Sequence, residues 1–166
     1  MGAFLILWLV EERGISTQTA PLVFGGVVIG TAISNVIGGL LGDWAESKNP
    51  KYGRTIIGQL SVFSGIPFTY FLFTGTKDWS LLGIAILCFI TALFISWPGK
   101  GSKEPMMQGV VPPELRSTAF SVTTFIESGF AAIIALIFGY LADSIDLQTA
   151  FLWTIPFPWI LCGILF

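Results

Sequence analysis

The chain has 166 residues, of which 54% are hydrophobic and only 11% charged, with no histidine and a net charge of −2. Soluble domains carry about 25% charged residues, so this composition excludes a water-dressed surface and points to lipid as the solvent. A pI near 4.9 and a mean hydropathy of +0.82 leave no basic face for nucleic acid, and two cysteines in apolar runs, Cys88 and Cys162, form neither a disulfide framework nor a metal or redox site.

Backbone in lipid must satisfy its own hydrogen bonds, so long apolar runs predict helices. Residues 2–10 are apolar but too short to span, and they lack the basic flank and cleavage site of a signal peptide. They read as the end of a helix whose beginning is missing. Full spans are predicted at 21–41, 55–73, 80–98, 117–142 and 150–166, each near the roughly 20 residues a bilayer requires. The first of these carries a small residue every fourth position, at Gly26, Gly30, Ser34, Gly38 and Gly42. Such a face lets two helices approach closely in lipid. Asp43 closes the span, where a carboxylate opposes the helix macrodipole. It calls for compensation by a base such as Arg54 or by backbone donors of a neighbouring helix.

The polar connections set the orientation. Lys48, Lys51 and Arg54 lie in the 42–54 loop, and Lys100, Lys103 and Arg116 in the 99–116 loop. Six of the eight bases thus fall on one side, which the positive-inside rule makes cytoplasmic, together with the C-terminus. Arg13 and Lys77 remain outside, and the expected location is the plasma (inner) membrane. Trp8, Trp44, Trp79, Trp97 and Trp153 fall near span ends, as interfacial aromatics do. Trp159 is expected to pack within the bundle. No linker divides the chain, so residues 1–166 form a single transmembrane domain.

Glu127 lies ten residues into its span, roughly 15 Å below the nearer end. Ionisable groups at that depth face a cavity or a partner, and no lysine or histidine is expected there. It is a candidate proton-coupling or substrate-binding carboxylate; the alternative is a protonated acid bonded to a neighbouring helix. Asn35, mid-span beside the glycine spine, is either a substrate contact or interhelical glue. Gln59 is expected to bond near the interface. In the 99–116 loop, Arg116 caps the loop, pairs with Glu104 or Glu114, or meets lipid phosphate.

"GGLLGD" (38–43), followed by a basic, glycine-containing loop, resembles the signature between the second and third helices of each half of major facilitator superfamily transporters. Gly39, Asp43, Gly53 and Arg54 match the family's glycine, acid, second glycine and base. Trp44 stands where the family has a base, and the interval from Asp43 to Gly53 is longer than the family's. "VPPELRSTAFSVTTFIESGFAAIIALIFGYLAD" (111–143) is similar to the family's loop before helix eleven and to that helix, with Pro113, Glu114, Arg116, Gly139 and Asp143 matching. "GGLLGD" and "FGYLAD" (138–143) end two spans of opposite direction, the pattern of an inverted repeat.

The resemblance implies an all-α polytopic membrane protein: helices seven (partial) to twelve, a six-helix bundle of two inverted three-helix repeats. It implies secondary active transport of a small solute by alternating access, ion- or proton-coupled, with Gly39, Asp43, Gly53 and Arg54 as a gating latch. A missing N-terminal six-helix half or a second copy would complete the pathway, and no cofactor or metal is implied. The alternative is a truncated transporter fragment without independent activity. A membrane enzyme is disfavoured, because the acids are scattered rather than clustered for a metal ion.

Overall fold

The computed structural model describes residues 2–165, except for the side chains of Cys162 and Leu165. In chain order it has α1 (Gly2–Glu11), α2 (Ala20–Lys48), α3 (Gly53–Thr74), α4 (Leu81–Ile95), a π-helical segment (Pro98–Lys103), α5 (Glu104–Val110), a 3-10 turn (Pro113–Leu115), α6 (Arg116–Ser144), α7 (Leu147–Thr154) and α8 (Pro156–Leu165). No strand occurs among the described residues. Four stretches, Ala20–Lys48, Gly53–Thr74, Leu81–Val110 and Pro113–Ser144, are long and apolar enough to cross a membrane.

Local chemistry sets the helix ends. Gly14, at φ 63°, turns the chain out of α1 so that the Ile15 amide reaches the Leu9 carbonyl, a conformation glycine adopts without steric cost. Ser80 caps α4 by accepting from the Gly83 amide, and Asp146 caps α7 by accepting from the Thr149 amide. Between α2 and α3 the Asn49 side chain accepts from the amides of Lys51 and Tyr52, each at 3.2 Å, which folds a turn of only four residues.

Three span boundaries differ from the sequence expectation. First, α2 runs on to Lys48, so Asp43 lies inside the helix and not at its end. Second, the 99–116 region is helical up to Val110. Two prolines make this surprising, because a proline leaves the carbonyl four residues back without its N–H. Here those carbonyls find side chains instead. The Ser61 hydroxyl donates to the Phe94 carbonyl, opposite Pro98, and Arg54 Nη1 donates to the Gly101 carbonyl, opposite Pro105, at 3.2 Å. Third, the expected 150–166 span is two helices that meet at Ile155. Pro156 and Pro158 remove the amide donors that the Leu152 and Thr154 carbonyls would use, and among the described residues no side chain donates to either carbonyl.

The larger apolar core gathers Trp8, Val23, Leu72, Phe73, Leu87, Phe138 and Phe151 at one end of the bundle. A smaller one, Ala45, Ile57 and Trp97, lies at the other. The helix α6 joins the bundle through Phe138, its one buried residue, whose ring lies 4.5 Å from Phe4 and 4.7 Å from Phe151. Most of its remaining length is exposed apolar surface.

Candidate functional site

The small-residue face of α2 packs on the helix that begins at Leu81. A Cβ on Gly30 would meet Ala92 Cβ at 3.0 Å, and one on Gly38 would meet Trp97 Cα at 2.8 Å. Between them the buried Ser34 hydroxyl donates to the Leu93 carbonyl at 2.7 Å. Further on, Gly42 abuts the Gly101 carbonyl, and Gly101 in turn abuts the Gly38 carbonyl. Both helices advance by about four residues per contact, so they run parallel. Gly26 departs from the expected spine, because open space surrounds the position where its Cβ would be, as it does for Gly39. The sequence pattern named one side of this contact; its partners Trp97 and Gly101 carried no equal-spaced signal.

At the Gly42 end, Arg54 occupies the centre of a cluster. Its Nη2 donates to Asp43 Oδ1 at 2.6 Å and to Glu46 Oε2 at 2.7 Å, and its Nε donates to the same Glu46 oxygen at 2.9 Å. Nη1 faces the Gly101 carbonyl, and the Ser102 hydroxyl donates to the Arg54 carbonyl. One guanidinium thus joins α2, α3 and the π-helical segment. Gly53 makes the approach possible, because a side chain there would collide with the Ala45 carbonyl of α2. The structure therefore brings together Asp43, Gly53 and Arg54, and adds Glu46, Gly101 and Ser102.

The same π-helical segment carries a second charged contact. Lys103 Nζ sits against Glu127 Oε1, leaving the two side chains 42% and 52% exposed. This reverses the expectation that no lysine reaches Glu127. Depth counting put Lys103 in a loop, whereas the helix that carries it continues past it to Val110. A lysine stem then spans the remaining distance to α6. Lys100 pairs with Glu104 one turn on, so Glu104 does not serve Arg116. Arg116, the first residue of α6, donates from Nε to the Val111 carbonyl at 3.3 Å, and Glu114 lies exposed in the 3-10 turn. Asn35 is half-buried on α2, away from the Lys103–Glu127 pair in sequence and element. Gln59 Nε2 reaches the Gly163 carbonyl at 3.4 Å.

At the other end of α3 lies Arg13, which the sequence places only on the outer side. Arg13 donates from Nη2 to the Phe73 carbonyl at 2.8 Å and from Nε to Thr76 Oγ1 at 3.2 Å, with its guanidinium 4.5 Å from the Trp8 ring centre. It thereby ties the end of α1 to the C-terminal end of α3, where a cation complements the macrodipole. Burial lowers the Arg13 pKa from its usual value, while Glu12 raises it. Of the expected interfacial tryptophans, Trp44, Trp79 and Trp153 are exposed, but Trp8 and Trp97 are buried in the two cores. Trp159 packs inward against Gly65, and the Cys162 side chain lies outside the described residues.

The fold and its hydropathy define an all-helical protein with helices long and apolar enough to cross a membrane. No protein-family model matches the chain, and no solved structure matches it.

Proposed function

We propose that the chain is half of a secondary active transporter that moves a small solute across a membrane by alternating access, with ion or proton coupling. In this reading it corresponds to the C-terminal half of a major facilitator fold, built from inverted three-helix repeats. The Asp43–Arg54 cluster is a gating latch on the cytoplasmic side, where the C-terminus also lies. The partner is the other six-helix half or a second copy of the chain.

One observation carries the proposal. Glu127 is the twelfth residue of the 29-residue α6, roughly 17 Å along the helix axis from its start. It lies in the Pro113–Ser144 stretch that is apolar enough to span a membrane. Its ion pair with Lys103 is about half exposed. Charges at such depth avoid lipid and face a partner or a water-filled pathway. The pathway side of this half is therefore the α5–α6 side, with Glu127 as the coupling or substrate carboxylate.

The test uses the complete reading frame that carries this chain, reconstituted in vesicles with a pH-sensitive dye and screened against classes of small solute. Solute-driven proton movement is expected, and Glu127→Gln should abolish the dependence on the proton gradient. Uptake with unchanged pH dependence in Glu127→Gln would remove the coupling role. If no solute class is moved, the transport reading itself fails.

A further inference from the structure

The Lys103–Glu127 pair joins one charge of each sign, and both side chains are about half exposed. Both residues lie in stretches long and apolar enough to cross a membrane. The charges nearest to them in the fold are engaged elsewhere. Arg54 holds Asp43 and Glu46, and Lys100 holds Glu104. Arg116 donates to the Val111 carbonyl, and Glu114 lies out in the exposed 3-10 turn. Among the described residues, Lys103 and Glu127 have ion-pair partners only in each other.

This limits the charge of a solute that enters between them. A lone amine that takes Glu127 strands the Lys103 ammonium, and a lone carboxylate that takes Lys103 strands Glu127. A charge without a partner at membrane depth is costly, which is why breaking an ion pair from one side only is the expensive way to break it. A neutral solute offers neither residue a charge and must part the pair uncompensated. A solute with one ammonium and one carboxylate turns one ion pair into two and leaves no charge alone. The surface beside Glu127 leaves room for it. Thr124 and Ala131, its neighbours one turn back and one turn on along α6, are small and exposed, as is Ser128 next to it.

We propose that the pair is the binding site of a zwitterion of the α-amino acid kind, whose ammonium donates to the Glu127 carboxylate and whose carboxylate accepts from the Lys103 ammonium. The proposal rests on the transport reading and gives Glu127 the substrate role within it.

The test measures binding and not flux, by calorimetry on the complete reading frame that carries this chain, held in lipid nanodiscs. The probes are the common α-amino acids, and for each that binds, the amine and the acid of the same carbon skeleton. At least one amino acid is expected to bind saturably, with its amine and its acid each roughly ten- to a hundred-fold weaker, the worth of one charge-assisted hydrogen bond. Lys103→Met with Glu127→Leu, which removes both charges together, should lose this binding. An acid or an amine that binds as tightly as its amino acid overturns the zwitterion, and so does the absence of binding by every amino acid. These comparisons use the unmodified protein and stand even if the double variant does not fold. Binding retained in the folded double variant overturns the site. Amino-acid binding without flux in vesicles would sink the transport reading alone, whereas flux of another solute class without amino-acid binding would sink only the zwitterion.

Discussion

Arg54 shows how exposure and geometry divide the work of one side chain. Its carboxylate partners are largely exposed, with Asp43 at 69% and Glu46 at 48%, whereas the Arg54 side chain itself is 13% exposed. An exposed carboxylate contributes at most about 1 kcal/mol to an ion pair. Asp43→Asn should therefore cost less than about 1 kcal/mol in an unfolding titration. Arg54→Lys cannot keep the fork that reaches Asp43, Glu46 and Gly101 together, and should cost roughly 1–3 kcal/mol. The neighbouring glycines divide in the same way. Gly42→Ala forces its Cβ into the Gly101 carbonyl and should destabilise the bundle by about 1–3 kcal/mol. Gly39 has open space where a Cβ would go, so Gly39→Ala should be neutral or stabilising by about 0.5–1 kcal/mol. If the two alanines cost the same in the unfolding titration, the close approach of α2 to the π-helical segment is wrong.

At the scale of the element, the long helix from Leu81 to Val110 owes its continuity to other helices. Pro98 strips the Phe94 carbonyl of its usual donor, and the Ser61 hydroxyl of α3 takes that place. Serines commonly repair proline breaks in membrane helices this way. Ser61→Ala should cost about 1–2 kcal/mol, and adding Pro98→Ala, which restores the N–H, should recover most of it. A double variant no more stable than Ser61→Ala would mean the serine acts through packing alone. The same element shows where sequence reading succeeds and fails. The spans at 20–48, 53–74 and 116–144 were legible because long apolar runs in lipid leave no alternative to a helix. The polar run from Pro98 to Glu104 looked like a loop because its two prolines, counting Pro105, and its lysines argue locally for one. What keeps it helical comes from Ser61 and Arg54, distant in sequence, and local pattern carries no trace of them. The break at Ile155 went against the single span expected over 150–166, although Pro156 and Pro158, which interrupt that apolar run, carried a local signal for it. For the site, the acid–base approach of Asp43 and Arg54 could be argued from charge. The reach of Lys103 to Glu127 could not, because it depends on the helix continuing past Lys103.

For the whole molecule, the π-helical segment links the two charged sites. Gly101 and Ser102 bind Arg54 at the start of α3, and Lys103 binds Glu127 on α6. π-helical turns inside α-helices occur often at functional sites, and here one turn of backbone holds both contacts. The helix α6 is otherwise held near its C-terminal end, at Phe138, Leu141 and Ala142, so the Lys103–Glu127 pair, with the Thr123 hydroxyl against Met107 Sδ, is its attachment further up the helix. That leaves two roles to separate, an attachment or a working charge pair. Replacing both partners by apolar side chains of similar size separates them. A well-packed apolar pair is often as stable as a charged one or more so, by about 1–4 kcal/mol, so Lys103→Met with Glu127→Leu should keep the unfolding midpoint or raise it. Proton-coupled flux in vesicles should nonetheless fall to background, since no ionisable group would remain at that depth to bind a proton or a polar solute. Single replacements leave one charge unpaired at membrane depth and should lower stability and flux together. Flux that persists in the stable double variant would make the pair an attachment for α6 and place the pathway elsewhere.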